Sequence, residues 1–520
     1  MISRVFLLSC LIAGTSCTSF AQEGSVGLRG ALPAEANAAD SDNSLSQARL
    51  GAEQSNSLVS AQSTAQGGNA TILSGEDAVE TEGNDLSSGQ EAIAQGRLNA
   101  AVAESGSTGL TGGSMTQTAR PFADRVAAVR RLLPTGQDRR TIDDNIFLGD
   151  TTYDAGEGIQ ARTFTLRPEL TIGGGWNNNR QGTAYGTGGG QVSIQPDIQL
   201  LSNWDRHELD LALRGSYTAY SGGDVDNDPN LTASGVLRLD LPGETTLTSE
   251  GTYSYSQEDN SSAENPNGDV YVQGTRGSVA LARSAGALGL TLRGDIDHEG
   301  YSSDDGDSGD RDNTLVKGAI RVSGLTGAIF QPYTEIALLG RYYDTSCKTS
   351  GCLDRNSAGY ELRGGLTINT GSKITGEVGI GWHTENLEEP FLKHLEGMIL
   401  NGTMVWSPTR RTTVSAGLDT SFDATNVSDA SGSVIYSGDL RVAHEFSPRF
   451  VGEVGMGYSY RTYQGDYLQE KTTSALGGVT YALTKNVALT SRYTYRWFDS
   501  SDEGADYNEN IIEAGVRIRH

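Results

Sequence analysis

From residue 162 to the last residue, apolar and polar side chains alternate with a period of two. In the first such segment Phe164, Leu166, Pro168, Leu170, Ile172 and Trp176 take the even positions, with Thr165, Arg167, Glu169 and Thr171 between them. Next, Val192, Ile194, Pro196, Ile198 and Leu200 alternate with Ser193, Gln195, Asp197 and Gln199. Leu209, Leu211, Leu213 and Tyr217 alternate likewise with Glu208, Asp210, Arg214 and Ser216. Successive side chains of a strand point to opposite faces, so this pattern predicts strands with one apolar and one polar face. Eighteen segments fit it: 163–176, 191–200, 207–219, 231–241, 245–256, 271–283, 287–299, 313–323, 329–342, 357–369, 373–384, 393–406, 411–422, 433–446, 450–461, 472–483, 487–498 and 509–519. The alternation blurs in 271–283 and 393–406.

The connections alternate in length. Long polar loops such as Asn177–Gly190, Glu258–Val270, Ser302–Asp312 and Asp344–Asn356 follow the odd-numbered segments. Tight turns such as Pro242-Gly243-Glu244, Thr370-Gly371-Ser372 and Ser447-Pro448-Arg449 follow the even-numbered ones. An even strand count with short turns on one rim and long loops on the other predicts an all-β fold: a transmembrane antiparallel up-and-down barrel of about 18 strands. A soluble β-sandwich would not keep eighteen strands in one register with this asymmetry.

Aromatic placement is independent support. On the apolar register, segments end toward the long loops in Trp176, Tyr217, Tyr253 and Tyr255, Tyr342, Trp382, Phe422, Tyr458 and Tyr460, and Tyr495 and Trp497. Amphipathic rings prefer headgroup depth, so these positions predict a membrane-interface girdle. The last strand, Glu513-Ala514-Gly515-Val516-Arg517-Ile518-Arg519-His520, has the spacing of the terminal strand read by the outer-membrane insertion machinery, with His520 where phenylalanine is usual.

The polar face is charged. Arg167, Arg214, Arg238, Arg293, Arg341, Arg363, Arg441, Arg492 and Arg517 share it with Glu169, Asp210, Glu250, Asp295, Glu335, Glu361, Glu377, Asp439 and Glu453. Neighbouring strands then offer opposite charges for cross-strand pairing. Sealing so many charges away from water is costly, and a water-filled lumen removes that cost. These eighteen residues are the expected lumen lining, whether they line a solute path or only brace the wall. Mixed signs predict weak ion selectivity from the wall, while acidic outer loops would favour cations at the mouth.

Composition adds limits. The 520 residues carry a net charge of −26, which argues against a cationic grip on nucleic acid or anionic headgroups. Met1–Ala21 has one positive residue, Arg4, an apolar stretch from Val5 to Ala13 and a Ser19-Phe20-Ala21 ending, the pattern of a secretory signal peptide cleaved before Gln22. A lipoprotein reading at Cys10 would leave the apolar core too short. After the leader no apolar run approaches a spanning helix. Residues 22–119 lack any aromatic residue or lysine and read as a disordered periplasmic extension. Residues 120–161 read as a short basic helix and linker, either a tether or a docking element for an acidic partner, and the barrel occupies 162–520. In an exported chain Cys347 and Cys352, four positions apart, read as a disulfide-closed loop.

The stretch Leu166-Arg167-Pro168-Glu169-Leu170 to Gly173-Gly174-Gly175-Trp176-Asn177-Asn178-Asn179-Arg180, with Trp406-Ser407-Pro408-Thr409, resembles the Putative beta-barrel porin 2 family over about residues 160–520. The resemblance implies outer-membrane placement and offers no catalytic residues. No cofactor is expected, and both termini are expected in the periplasm. Some similar eighteen-stranded barrels are implicated in exopolysaccharide export.

Three functions follow as expectations: a channel for hydrophilic solutes, an export conduit for a secreted exopolysaccharide docked to periplasmic export components, and a closed barrel displaying its loops. Enzyme motifs are missing: there is no Gly-x-Ser-x-Gly, His-Glu-x-x-His or Gly-x-x-x-x-Gly-Lys. His298 and His383 lie near the long-loop rim, but no fixed spacing to a nucleophile supports hydrolysis. The acidic loop Asp304, Asp305, Asp307, Asp310 and Asp312 lacks the glutamate that would close a calcium loop, so no metal is expected. A siderophore-type transporter would need a globular plug and about 22 strands.

Overall fold

A computed structural model describes residues 158–520 apart from 223–226, 258–262, 265–269, 304–310, 326–328, 345–353, 370–373, 410, 426, 428–429 and 503. The leader, the 22–119 extension, nearly all of 120–161, Cys347, Cys352, Asp304, Asp305, Asp307 and Asp310 lie outside the described residues.

Period-two alternation becomes strand at every predicted segment. The strands are β1 (Ile159–Ala161), β2 (Phe164–Asn177), β3 (Gly189–Ser202), β4 (Glu208–Tyr220), β5 (Asp228–Leu241), β6 (Thr245–Gln257) and β7 (Tyr271–Ala285). Then come β8 (Leu288–Ser302), β9 (Asn313–Gly324), β10 (Phe330–Tyr343), β11 (Ser357–Asn369), β12 (Ile374–Leu387) and β13 (Leu395–Thr409). The last are β14 (Thr412–Asp423), β15 (Ser433–Ser447), β16 (Phe450–Tyr463), β17 (Gln469–Ala482), β18 (Val487–Ser500) and β19 (Tyr507–Arg519). No end lies more than three residues from its expected place. One difference is β1, inside the segment expected to be linker. It folds back on β2 through Ala161↔Phe164, with Arg162 at φ 58 in the turn.

Strands β2 to β19 form a closed antiparallel barrel of eighteen. Each pairs with its chain neighbour, and β19 closes on β2 from Ile511↔Asn177 to Arg519↔Glu169. Glycines line the β2 side of this closure: Gly173, Gly174 and Gly175 face Gly515, Ala514 and Glu513. A Cβ at Gly175 would run into the Ile512 carbonyl, so the strands approach there only because the side chain is missing. At about 4.8 Å spacing and about 40° tilt, eighteen strands enclose a ring roughly 35 Å across between backbones.

The two faces are inverted relative to a soluble protein. Leu338, Ile336, Ile380, Val454 and Ile512 stand exposed on the outer face, while Arg321, Glu335, Glu361, Glu377 and Arg517 are buried on the inner one. A greasy exterior this extensive is stable only against hydrocarbon. No helix among the described residues is long and apolar enough to cross a membrane. The ladders supply the other requirement, since backbone groups facing lipid must pair within the wall.

The β13–β14 ladder is incomplete. Strands β13 and β14 pair from Thr409↔Thr412 up to Gly402↔Leu418 and no further, although β13 begins at Leu395 and β14 runs on to Asp423. Above that point β13 pairs only with β12, and β14 only with β15.

Ile336 stands mid-strand on the outer face of β10. Ile336→Arg is expected to lower stability by about 2–4 kcal/mol in urea titrations from lipid vesicles; an unchanged midpoint would place that face away from acyl chains.

Candidate functional site: the charged lumen and its long-loop mouth

All eighteen residues expected to line the lumen sit on the register opposite the exposed apolar residues, that is, on the inner face. Their ion pairs form a wall lattice. Arg214 meets Asp197 at 3.1 Å, Arg238 meets Asp240 at 3.0 Å and Arg517 meets Glu169 at 3.1 Å. Asp210 accepts from Gln199 at 3.3 Å. Arg492 reaches Glu453 at 3.6 Å and Arg441 reaches Asp439 at 3.9 Å. Arg167 and Glu250 are half-buried on the same face.

The densest part lies on β8–β12. Arg293 binds Asp295 at 3.0 Å and Glu335 at 3.1 Å; Arg363 binds Glu335 and, at 3.8 Å, Glu361. Lys317 joins Glu361 at 2.7 Å. Arg321 donates twice to Glu377, at 3.0 and 2.7 Å, with its guanidinium 3.5 Å over the Tyr333 ring. Arg341 donates twice to Glu385, at 3.2 and 3.1 Å. His383 stands between Glu361 at 3.1 Å and Glu385 at 3.0 Å. Several of these pairs skip a strand: β8 to β10, β9 to β11, β10 to β12. Sequence reasoning looked for partners on adjacent strands and missed Lys317, Arg321 and Glu385, though each lies on the charged parity of its strand. The network is therefore linked across strands rather than built of separate bridges: Glu335 is shared by Arg293 and Arg363, and Glu361 by Lys317, Arg363 and His383.

On the long-loop side, parts of the chain enter the lumen. Above Gly402↔Leu418 the tips of β14 and β15 leave the wall and lie against the inner face of β12 and β13. Phe422 belongs by register to the aromatic girdle, yet it is buried and stacked on His383, with ring centroids 3.8 Å apart. This corrects its expected place on the lipid face; the broken ladder is the physical reason. Phe422 and Val434 pack with Leu395 and Ile399, and Arg341 Nη2 donates to the Phe422 carbonyl at 2.8 Å. Arg355 donates to the carbonyls of Thr425 and, at 3.0 Å, Val427. Thr425 Oγ1 in turn donates to Glu264 at 2.5 Å. Glu264 is midway between β6 and β7, seven residues from each, and it also meets Arg461 of β16 at 3.6 Å and Arg311 at 3.8 Å. On a ring of eighteen, β16 is diametrically opposite β7. A wall side chain extends about 7 Å, so a ring of about 35 Å brings these groups together only because Glu264 and the β14–β15 tip both enter the lumen.

The other girdle residues keep the outer register: Trp176, Tyr217, Tyr342, Trp382 and Trp497 are exposed, and Tyr255 and Tyr460 half-buried. A second aromatic row, unnoticed in the sequence, marks the short-turn rim with Phe330, Trp406, Phe446 and Tyr481. Its signal was present, because these residues sit on the apolar parity at the opposite strand ends. Of the rim histidines, His298 Nδ1 meets Thr314 at 3.0 Å. Ser357 donates to Glu385, which stands between it and His383. In the β8–β9 connection burial pushes the Asp312 carboxyl up, partly opposed by the hydrogen bond that it accepts from the Tyr301 amide at 2.7 Å.

A family model described as Putative beta-barrel porin 2 matches residues 151–520. The chain belongs to that family. Membership makes it an outer-membrane β-barrel of porin type and implies a non-enzymatic membrane barrel. No curated protein matches the sequence. Among solved structures, the siderophore receptor PirA from Pseudomonas aeruginosa is 8% identical, with 70% of this chain and 81% of that chain covered and a TM-score of 0.32. The siderophore receptor PiuA from Acinetobacter baumannii is 9% identical, covering 70% and 83%, at 0.37. The copper transporter OprC is 10% identical, covering 71% and 82%, also at 0.37. These likenesses say nothing of what this porin-family barrel carries.

In this porin-family barrel, removing Glu335 would leave Arg293 and Arg363 without their shared carboxylate. Glu335→Ala is expected to cost about 3–5 kcal/mol, read as a lower temperature at which folded, fast-migrating protein is lost on unheated gels. An unchanged transition would mean that the lattice does not brace the wall.

Proposed function

We propose that the protein is an outer-membrane channel that passes hydrophilic solutes through a charged, water-filled lumen. The observation that carries this reading is the inner face itself: on every barrel wall segment from β2 to β19 the polar parity points inward, in a ring wide enough to hold a channel. Several of its charges keep solvent contact, with side-chain exposures of 13% at Arg214, 16% at Glu169, 21% at Asp295 and 20% at Asp439. Both signs alternate around the ring, so the wall favours water and polar solutes over one sign of ion. The start of β2 and the end of β19 share the short-turn rim. In this reading that rim faces the periplasm, where the chain from residue 22 onward would also lie. The strand Glu513–His520 then serves as the terminal signal for the insertion machinery. In this reading the β14–β15 tip and Glu264, which enter the lumen, narrow such a channel on its long-loop side.

Full-length protein in planar lipid bilayers is expected to give discrete conductance steps, and its proteoliposomes to swell in small sugars. Bilayers silent at every voltage, together with liposomes that do not swell, would overturn the reading in favour of a sealed barrel.

A further inference from the structure

We propose that the long-loop end of the β14–β15 hairpin is a two-position gate, which blocks the lumen when folded inward and frees it when zipped onto β13. Its role as a gate rests on the channel reading, whereas the movement does not.

The tip is patterned for the wall but packed in the lumen. Extending the β13–β14 register upward from Gly402↔Leu418 would pair Leu400 with Thr420 and Met398 with Phe422. Phe422 would then stand beside Met398 on the outer face, in line with Trp382, which pairs with Met398. Val434, paired with Phe422, and Tyr436, paired with Thr420, would face lipid as well. This is the alternation that Val414, Ala416 and Leu418 begin lower on the same strand. Inward, the same apolar face finds a different cover, the inner side of β13. Gly397 makes room for it. A Cβ there would lie 3.1 Å from the Phe422 ring, 3.2 Å from the Tyr436 hydroxyl and 3.4 Å from Val434 Cγ1. The apolar side of the tip is thus satisfied in either position, by β13 or by acyl chains.

Polar groups are interchangeable too. At the point of divergence the Thr420 hydroxyl accepts from the Leu400 amide at 2.9 Å and donates to the Leu400 carbonyl at 3.2 Å. One side chain thereby occupies both ladder groups that a zipped β14 backbone would take. Higher up, Arg341 on the Phe422 carbonyl, Arg355 on the Thr425 and Val427 carbonyls, and Thr425 on Glu264 hold the tip inward. Zipping exchanges these few contacts for ladder hydrogen bonds. Two packings of one segment that each satisfy its apolar face and its backbone are the requirement for a bistable element. Moving the tip outward also removes Thr425 from Glu264, so the strap across the lumen loosens in the same step.

The test uses two disulfides in full-length protein with its four native cysteines replaced by serine. Gly397→Cys with Val434→Cys joins residues that touch only when the tip is inward, because in a zipped wall they face opposite sides. Met398→Cys with Phe422→Cys joins residues that are neighbours only in the zipped wall. Both pairs are expected to cross-link in membranes under mild oxidation. The first should reduce conductance at least about tenfold relative to its reduced form and the second raise it at least about threefold, as locking either side of a two-state equilibrium does. Failure of the 398/422 pair to cross-link, while 397/434 cross-links fully, would overturn the proposal by showing one fixed position. Failure of 397/434 would overturn it from the other side. Efficient cross-linking of both pairs without conductance in any form would uphold the movement and dismiss the channel.

Discussion

Everything in this molecule depends on one constraint: backbone amides and carbonyls that face hydrocarbon must find partners within the wall. A closed ring of antiparallel strands is the sheet solution, and closure between β19 and β2 completes it with glycines where the backbones crowd. Once the backbone is satisfied, side chains are free to sort by face. Leucine, isoleucine and valine turn outward because hydrocarbon is their medium there. Arginine, glutamate and aspartate turn inward, where water or an opposite charge receives them. The same constraint singles out a weak place. Above Gly402↔Leu418 the β13–β14 ladder stops, and a threonine hydroxyl stands in for the missing strand.

The inner face is more than a polar coating. On β8–β12 the charges bind across alternate strands, so that Arg293, Glu335, Arg363, Glu361 and His383 form one continuous lattice. Such a lattice stiffens one sector of the ring, and it is against this sector that the β14–β15 tip rests, with Phe422 on His383. Rigidity and movement are therefore adjacent: a fixed charged wall provides the seat, and a strand pair with an incomplete ladder provides the moving part. The porin family assignment and the mixed-charge lumen agree with polar traffic, and the inward-packed tip indicates where it would be controlled.

Most of the fold was legible because alternation of period two is an unusually direct record of which medium each face meets. Strand ends, loop asymmetry and the inner parity of all eighteen charged residues could be read from spacing alone. Partners could not. Parity states that Lys317 and Glu361 share a face, but not that they bond across an intervening strand. The displacement of Phe422 was equally unreadable, because its residue pattern is that of a wall strand and only tertiary packing diverts it. Glu264 gave no signal either: a single carboxylate in a polar loop acquires meaning only when Arg461 arrives from the far side of the ring.

The central claim is that the apolar parity of this wall faces lipid, and the native tryptophans can report on it. Trp176, Trp382, Trp406 and Trp497 all stand on the outer face near strand ends. In vesicles of brominated phospholipid their fluorescence should be quenched strongly when bromine lies near the headgroups and less when it lies at the bilayer midplane, with little quenching by aqueous acrylamide. Fluorescence untouched by brominated lipid but quenched from water would contradict the account at its root.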